Sequence, residues 1–186
     1  MNYGYAVSIS PGLWTILFMK GWNKMKVDQL IIYIIYACTF ISLAFIPKDK
    51  VRDASIIFLY QQAVTWFAGL LAVELNLLEY PVRELAKVNG TSFLYEFFSY
   101  PVITIFFCFY YPRTSKRWKK IIYISAFSTG LTVPEVIFEH YTHLIKYIRW
   151  EWYVTWATVY ATLFLAWVFY KWYFKLNNRK KVLVHH

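Results

Sequence analysis

The sequence predicts an all-α membrane protein, a polytopic bundle of about five transmembrane helices with an N-terminal interfacial helix. Three observations carry this. First, 59% of the 186 residues are hydrophobic and only 16% are charged, more apolar surface than a soluble core of this size buries. Second, the apolar residues fall in runs long enough to cross a bilayer. Third, aromatic residues reach 23%, and Trp and Tyr favour the membrane-water boundary.

The segment 11–22 opens on Pro11 and carries Trp14, Ile16, Leu17 and Phe18. It is too short to span, so the expectation is a helix lying along the interface. The first span is placed near 30–46, uncharged between Asp28 and Lys48 and ended by Pro47. The second is placed near 54–77, uncharged from Ala54 until Glu74. The third, near 92–111, contains Glu96 and the helix-kinking Pro101. The fourth, near 121–138, is the weakest: its apolar part is short and carries Ser125, Ser128, Thr129, Gly130 and Thr132 before Pro134 and Glu135, so a re-entrant segment is the alternative. The fifth, near 152–171, runs uncharged from Trp152 to Tyr170. Loops are short, no repeat or hydrophilic domain interrupts the chain, and residues 1–186 read as one membrane domain.

Charge fixes the expected orientation. With five spans, thirteen Lys and Arg fall on the C-terminal side and seven on the other, whereas omitting the fourth span divides them ten and ten. The tendency of Lys and Arg to stay inside favours five spans, a cytoplasmic C-terminus and an N-terminus outside. The formal charge of +10 is thereby assigned to membrane orientation and anionic headgroups, so the lipid bilayer is the expected partner and nucleic acid is not. Cys38 and Cys108 lie within apolar runs and read as packing residues. The first residues lack a signal-peptide pattern, and no N-terminal processing is expected.

The acids are distributed unevenly. Glu74, Glu79, Glu84, Glu96, Glu135, Glu139 and Glu151, seven of ten, fall on the expected outer half, with His140 and His143. Glu74, Glu96 and Glu135 lie in or at the rim of apolar segments, where an ionised carboxylate costs roughly 2.5 kcal/mol or more. The expectation is that the three meet in the bundle at similar depth. Four-residue spacing places Glu135, Glu139 and His143 on one helical face, and Pro134 leaves the Gly130 carbonyl without its helical donor. Such a face permits divalent-cation binding through carboxylate and imidazole, or proton relay. Glu74, Glu96, Glu135, Glu139, His140 and His143 are therefore the candidate pocket for a proton, cation or small ligand, and Glu135, Glu139 and His143 the candidate metal ligands.

Bland readings stand beside this one. Glu96 fits as the complement of a helix N-terminus, Glu79 and Arg83 as a surface pair, and both histidines as interfacial residues. Gln61, Gln62, Thr65 and Trp66, with Ser125, Ser128 and Thr129, fit either the lining of a polar path or, as the default, interhelical hydrogen bonding, and Gly69 and Gly130 fit as sites of close helix approach. Three classes of function stay open: a solute-binding, transport or sensing protein; an enzyme acting on a lipid-like substrate with the same carboxylates; and a non-catalytic assembly protein.

The stretches Thr91 to Pro101 and Glu139 to Tyr153 resemble an uncharacterised family of small multi-pass membrane proteins from spore-forming Firmicutes, over about residues 74–175. The resemblance implies a bacterial plasma-membrane location. It carries no activity onto any residue.

Overall fold

The computed structural model describes residues 11–175, with side chains from residue 26 onward. Helix α1 (Pro11–Leu43) leads through a 3-10 turn at Lys48–Lys50 into α2 (Val51–Glu74) and a short strand β1 (Leu78–Glu79). A π-helical segment, Phe93–Ser99, continues as α3 (Tyr100–Phe109). Then come α4 (Arg117–Tyr141), β2 (Lys146–Tyr147) and α5 (Trp152–Tyr173).

Four helical stretches are long and apolar enough to cross a membrane: Lys26–Leu43, Lys48–Glu74, Arg117–Tyr141 and Trp152–Tyr173. The weakest predicted span is thus one of the longest helices. Its 25 residues give roughly 37 Å at ~1.5 Å per residue, enough for a hydrocarbon core of about 30 Å. Pro134 lies inside this helix without ending it. The predicted interfacial placement of 11–22 falls on side chains outside those described, but the backbone there runs unbroken into the first span as one 33-residue helix. No proline lies between Pro11 and Pro47 to stop it.

The third segment, Phe93–Phe109, is the short one. Seventeen helical residues reach at most about 26 Å, less than the bilayer core. Burial explains how it is accommodated. Leu94, Val102, Thr104, Ile105, Phe107 and Cys108 are all 2% exposed or less, so protein rather than lipid surrounds this helix and the thickness of lipid does not set its length. Elsewhere large apolar side chains point outward, among them Phe40, Phe45, Leu59 and Phe67 at 59 to 71% exposure, as expected where the solvent is hydrocarbon. Cys108 packs in the main core with Ile57, Ile124 and Leu163, whereas Cys38 is exposed on α1.

The π-helical turn has a local cause. Tyr100 N–H reaches back five residues to the Tyr95 carbonyl, and Pro101 has no N–H. The Glu96 and Phe97 carbonyls are left needing donors inside the bundle. Two α2 side chains supply them: Thr65 Oγ1 donates to Glu96 O at 2.6 Å and Gln62 Nε2 to Phe97 O at 3.1 Å. Thr65 and Gln62 are therefore interhelical partners of the third segment's backbone. Thr65→Val is expected to cost about 1–2 kcal/mol through the unpaired carbonyl. In a Pro101→Ala background, where a backbone N–H returns, most of that cost should vanish, as a double-mutant cycle of unfolding in detergent would measure.

Helix ends gather at two poles. At one, Lys50 lies over the Phe109 ring, Arg113 stacks on Trp167 and Tyr170, and Tyr170 donates to Asp53. At the other, loops 75–92 and 142–151 close over the bundle. They pair antiparallel, with Leu78 opposite Tyr147 and Glu79 opposite Lys146. The Leu77 carbonyl accepts from the N–H groups of Ile148 and Arg149, and the His143 carbonyl from Val82 N–H. Sequence reading treats these as plain loops, because two-residue strands separated by 67 positions leave no periodic trace.

Candidate functional site

The capping loops insert a tyrosine towards each of two carboxylates held between the helices. From the first loop, Tyr80, 3% exposed, donates its hydroxyl to Glu96 Oε1 at 2.9 Å. From the second, Tyr147 donates to Glu135 Oε1 at 2.7 Å. Glu135 receives two further hydroxyls, Tyr100 on Oε2 at 2.8 Å and Thr155 on Oε1 at 2.9 Å. Trp150 Nε1 donates to the Thr155 oxygen at 2.7 Å, which leaves the Thr155 proton directed to the carboxylate.

Glu96 reaches this position because α2 offers no side chain at Gly69. A Cβ there would lie 2.9 Å from Glu96 Cγ and 2.7 Å from Thr91 Oγ1. Gly69 thus permits the close approach expected of it. Gly130 does not serve that purpose, since nothing lies within 4 Å of the corresponding position.

Glu96 and Glu135 line one cavity of about 100 Å³ between α2, α3, α4 and α5, together with Gln61, Thr65, Tyr100 and Thr155. Gln61 is 1% exposed, and its Oε1 has no hydrogen-bond partner among the described residues. The cavity wall is mostly apolar, and the two carboxylates are among its few polar groups. Among the described residues the ion pairs lie elsewhere, at His140 with Glu139, His143 with Asp28 and Lys146 with Glu79. Each embedded carboxylate is held by hydroxyls alone. In so apolar a setting such a group bears a proton or meets a cation.

The six expected pocket residues separate. Glu96 and Glu135 share the cavity, but Glu74 is exposed at the end of α2 and does not join them, so the expectation that all three acids converge is corrected. The helix ends there, and the chain carries the carboxylate out of the bundle. Glu139 turns to exposed His140, whose Nδ1 is 2.6 Å away. His143, from the loop beyond α4, reaches Asp28 of α1 at 3.3 Å. Glu135, Glu139 and His143 are thus not brought together as a ligand set, and no group of three His, Cys, Asp or Glu able to hold a metal ion occurs among the described residues. The physical reason is that α4 ends at Tyr141, so four-residue spacing does not extend to position 143. Glu79 pairs with Lys146 and not Arg83, whose guanidinium instead binds the Tyr80 and Asn89 carbonyls of its own loop.

Sequence reasoning missed Tyr80, Tyr100, Tyr147, Thr155 and Asp28 as site residues, whereas Gln61 and Thr65 are among those read as fitting a polar path. Asp28, 2% exposed, reads in sequence as a mere boundary of the first span. The tyrosines were hidden by number, since seventeen occur in the chain and most mark interfaces.

Burial, reinforced by the adjacent carboxylates, raises the Tyr80 and Tyr147 hydroxyls well above the ordinary tyrosine range. A raised acid is stabilised in its neutral form, so these contacts contribute full stability below the unfolded value near about 10 and lose it as pH climbs beyond that. Ultraviolet absorbance titration at pH ~10.5 should give the same tyrosinate signal for the parent and for the Tyr80→Phe, Tyr147→Phe double variant, because neither hydroxyl ionises there; a smaller signal in the variant would show that they do.

Comparison with protein-family models, curated proteins and solved structures gives no match.

Proposed function

We propose that this chain binds a small cationic or proton-carrying solute between Glu96 and Glu135, as a transport or sensing protein of the bacterial plasma membrane. The carrying observation is that two embedded carboxylates share one cavity and are held by hydroxyl donors alone. Hydroxyls orient an acceptor but do not neutralise it, so a proton or a cationic ligand completes the site. At about 100 Å³ the cavity is smaller than the ~150 Å³ that accepts benzene, which restricts an organic occupant to the size of ammonium or methylammonium. With the Lys- and Arg-rich pole in the cytoplasm, the capping loops face outside and the solute enters from there.

The test is saturable binding of radiolabelled methylammonium to the purified chain, together with proton movement in proteoliposomes containing a pH-sensitive dye. Glu96→Gln and Glu135→Gln should each weaken binding at least tenfold while leaving secondary structure unchanged, and tetrabutylammonium should not compete. Absence of both binding and proton movement in the parent would sink the proposal, as would Gln variants indistinguishable from it.

A further inference from the structure

The pole opposite the capping loops carries positive charge that the protein does not neutralise. Residues 48–53, 113–120 and 171–175 hold ten Lys and Arg against two acids, Asp49 and Asp53. Asp53 accepts from the Tyr170 hydroxyl at 3.3 Å, and Asp49 is exposed. Every acid of the chain lies within residues 28–151, and the ion pairs among the described residues all sit at the other pole.

Two of these cations, Arg52 at the start of α2 and Lys175 at the end of α5, line one recess of about 390 Å³ with Ile56, Tyr173 and Phe174. Neither side chain makes a hydrogen bond or ion pair among the described residues. Each also stands against a local preference. Arg52 is the second residue of α2, where the helix macrodipole disfavours a cation. Lys175 has φ 47° just beyond α5, the left-handed position that glycine usually fills, and Lys171 already complements the dipole of that helix end. Two like charges facing one recess repel besides. An anion between them removes the repulsion and accepts from both.

The apolar side of the recess decides which anion. Positions 52, 56 and 59 follow one face of α2. Ile56 lines the recess, and Leu59 beyond it is exposed, within a helix long and apolar enough to span. The recess therefore leads from headgroup depth onto hydrocarbon. Free phosphate uses only its charged end, and a choline or ethanolamine head brings its own cation into a field of like charge.

We propose that the recess between the start of α2 and the end of α5 binds an anionic phospholipid, its phosphate between Arg52 and Lys175 and an acyl chain along Ile56 and Leu59. The site lies at the opposite pole from the capping loops and does not rest on the solute-binding reading.

The experiment is native mass spectrometry of the full chain, delipidated in detergent and titrated with palmitoyl-oleoyl phosphatidylglycerol or phosphatidylcholine. The parent should bind a first phosphatidylglycerol about tenfold more tightly than the choline lipid. Arg52→Gln and Lys175→Gly should each lose about tenfold of that affinity. Glycine adopts a positive φ without penalty, so Lys175→Gly should fold at least as well as the parent and isolates the loss of the cation. The double variant Lys119→Gln, Lys120→Gln removes twice the charge from α4 at the same pole and should change the first affinity less than about twofold. Inorganic phosphate at ~10 mM should not displace the lipid, since it leaves the apolar side unfilled. An equal loss in the α4 double variant would reduce the effect to diffuse charge, and displacement by inorganic phosphate would make the recess a free-anion site. Either result, or a parent with no preference for the anionic lipid, would overturn the proposal.

Discussion

Glu135→Ala should destabilise the protein by roughly 3–5 kcal/mol, the largest single effect expected outside the core. The reason lies in what the carboxylate satisfies. Tyr100, Tyr147 and Thr155 all donate to it, and removing it leaves three shielded hydroxyls without their acceptor, each costing about 1–3 kcal/mol before relaxation. Glu135→Gln retains an oxygen acceptor, and the Tyr100 hydroxyl can rotate to accept from the new amide, so a change within about 1 kcal/mol is expected. Reversible unfolding in mixed micelles measures both. Equal losses in the two variants would mean that charge and not hydrogen bonding holds the capping loops down. This contrast also separates stability from function, because Gln should preserve the fold while weakening solute binding.

Gly69→Leu is the second large effect, expected at about 3 kcal/mol or above. Even the first carbon of a new side chain would lie 2.7 Å from Thr91 Oγ1 and 2.9 Å from Glu96 Cγ, and overpacking of this kind typically costs about 1–3 kcal/mol before the larger leucine is considered. Glu96 would have to move, which breaks its bond with Tyr80 and loosens the first capping loop from within. Hydrogen exchange should accordingly rise at residues 77–83 and at their β2 partners 146–149. Gly130→Ala is the matched control. Its Cβ meets nothing within 4 Å, so the substitution should be neutral or stabilising by up to about 1 kcal/mol through helix propensity. If both substitutions cost the same, the loss at Gly69 is not a matter of space.

The third segment shows why a correct span can still hide its most useful feature. Ser92 and Pro101 are visible boundary signals, and Ser92 does cap the segment by accepting from Tyr95 N–H. The π-helical turn between them depends on Thr65 and Gln62 across the interface with α2, so no pattern inside the segment announces it. In the fourth span, hydroxyl residues lower the mean hydropathy and suggest a re-entrant segment. Ser128 returns its hydroxyl to the Ile124 carbonyl within its own helix, which lets such residues sit in a span without breaking it.

By itself the sequence determined the bundle, the position of its apolar runs, the concentration of positive charge at one pole and the placement of Glu96 and Glu135 within apolar segments. These are properties of local composition and spacing, because a bilayer demands long apolar helices whatever their neighbours. Only the tertiary structure decided that Glu74 faces out while Glu96 turns in over Gly69. It also joined Asp28 to His143, and brought Tyr80 and Tyr147 from two paired loops onto the carboxylates. Those outcomes depend on which helix stands opposite which, and hydrogen bonds between residues up to 117 positions apart leave no period in the chain.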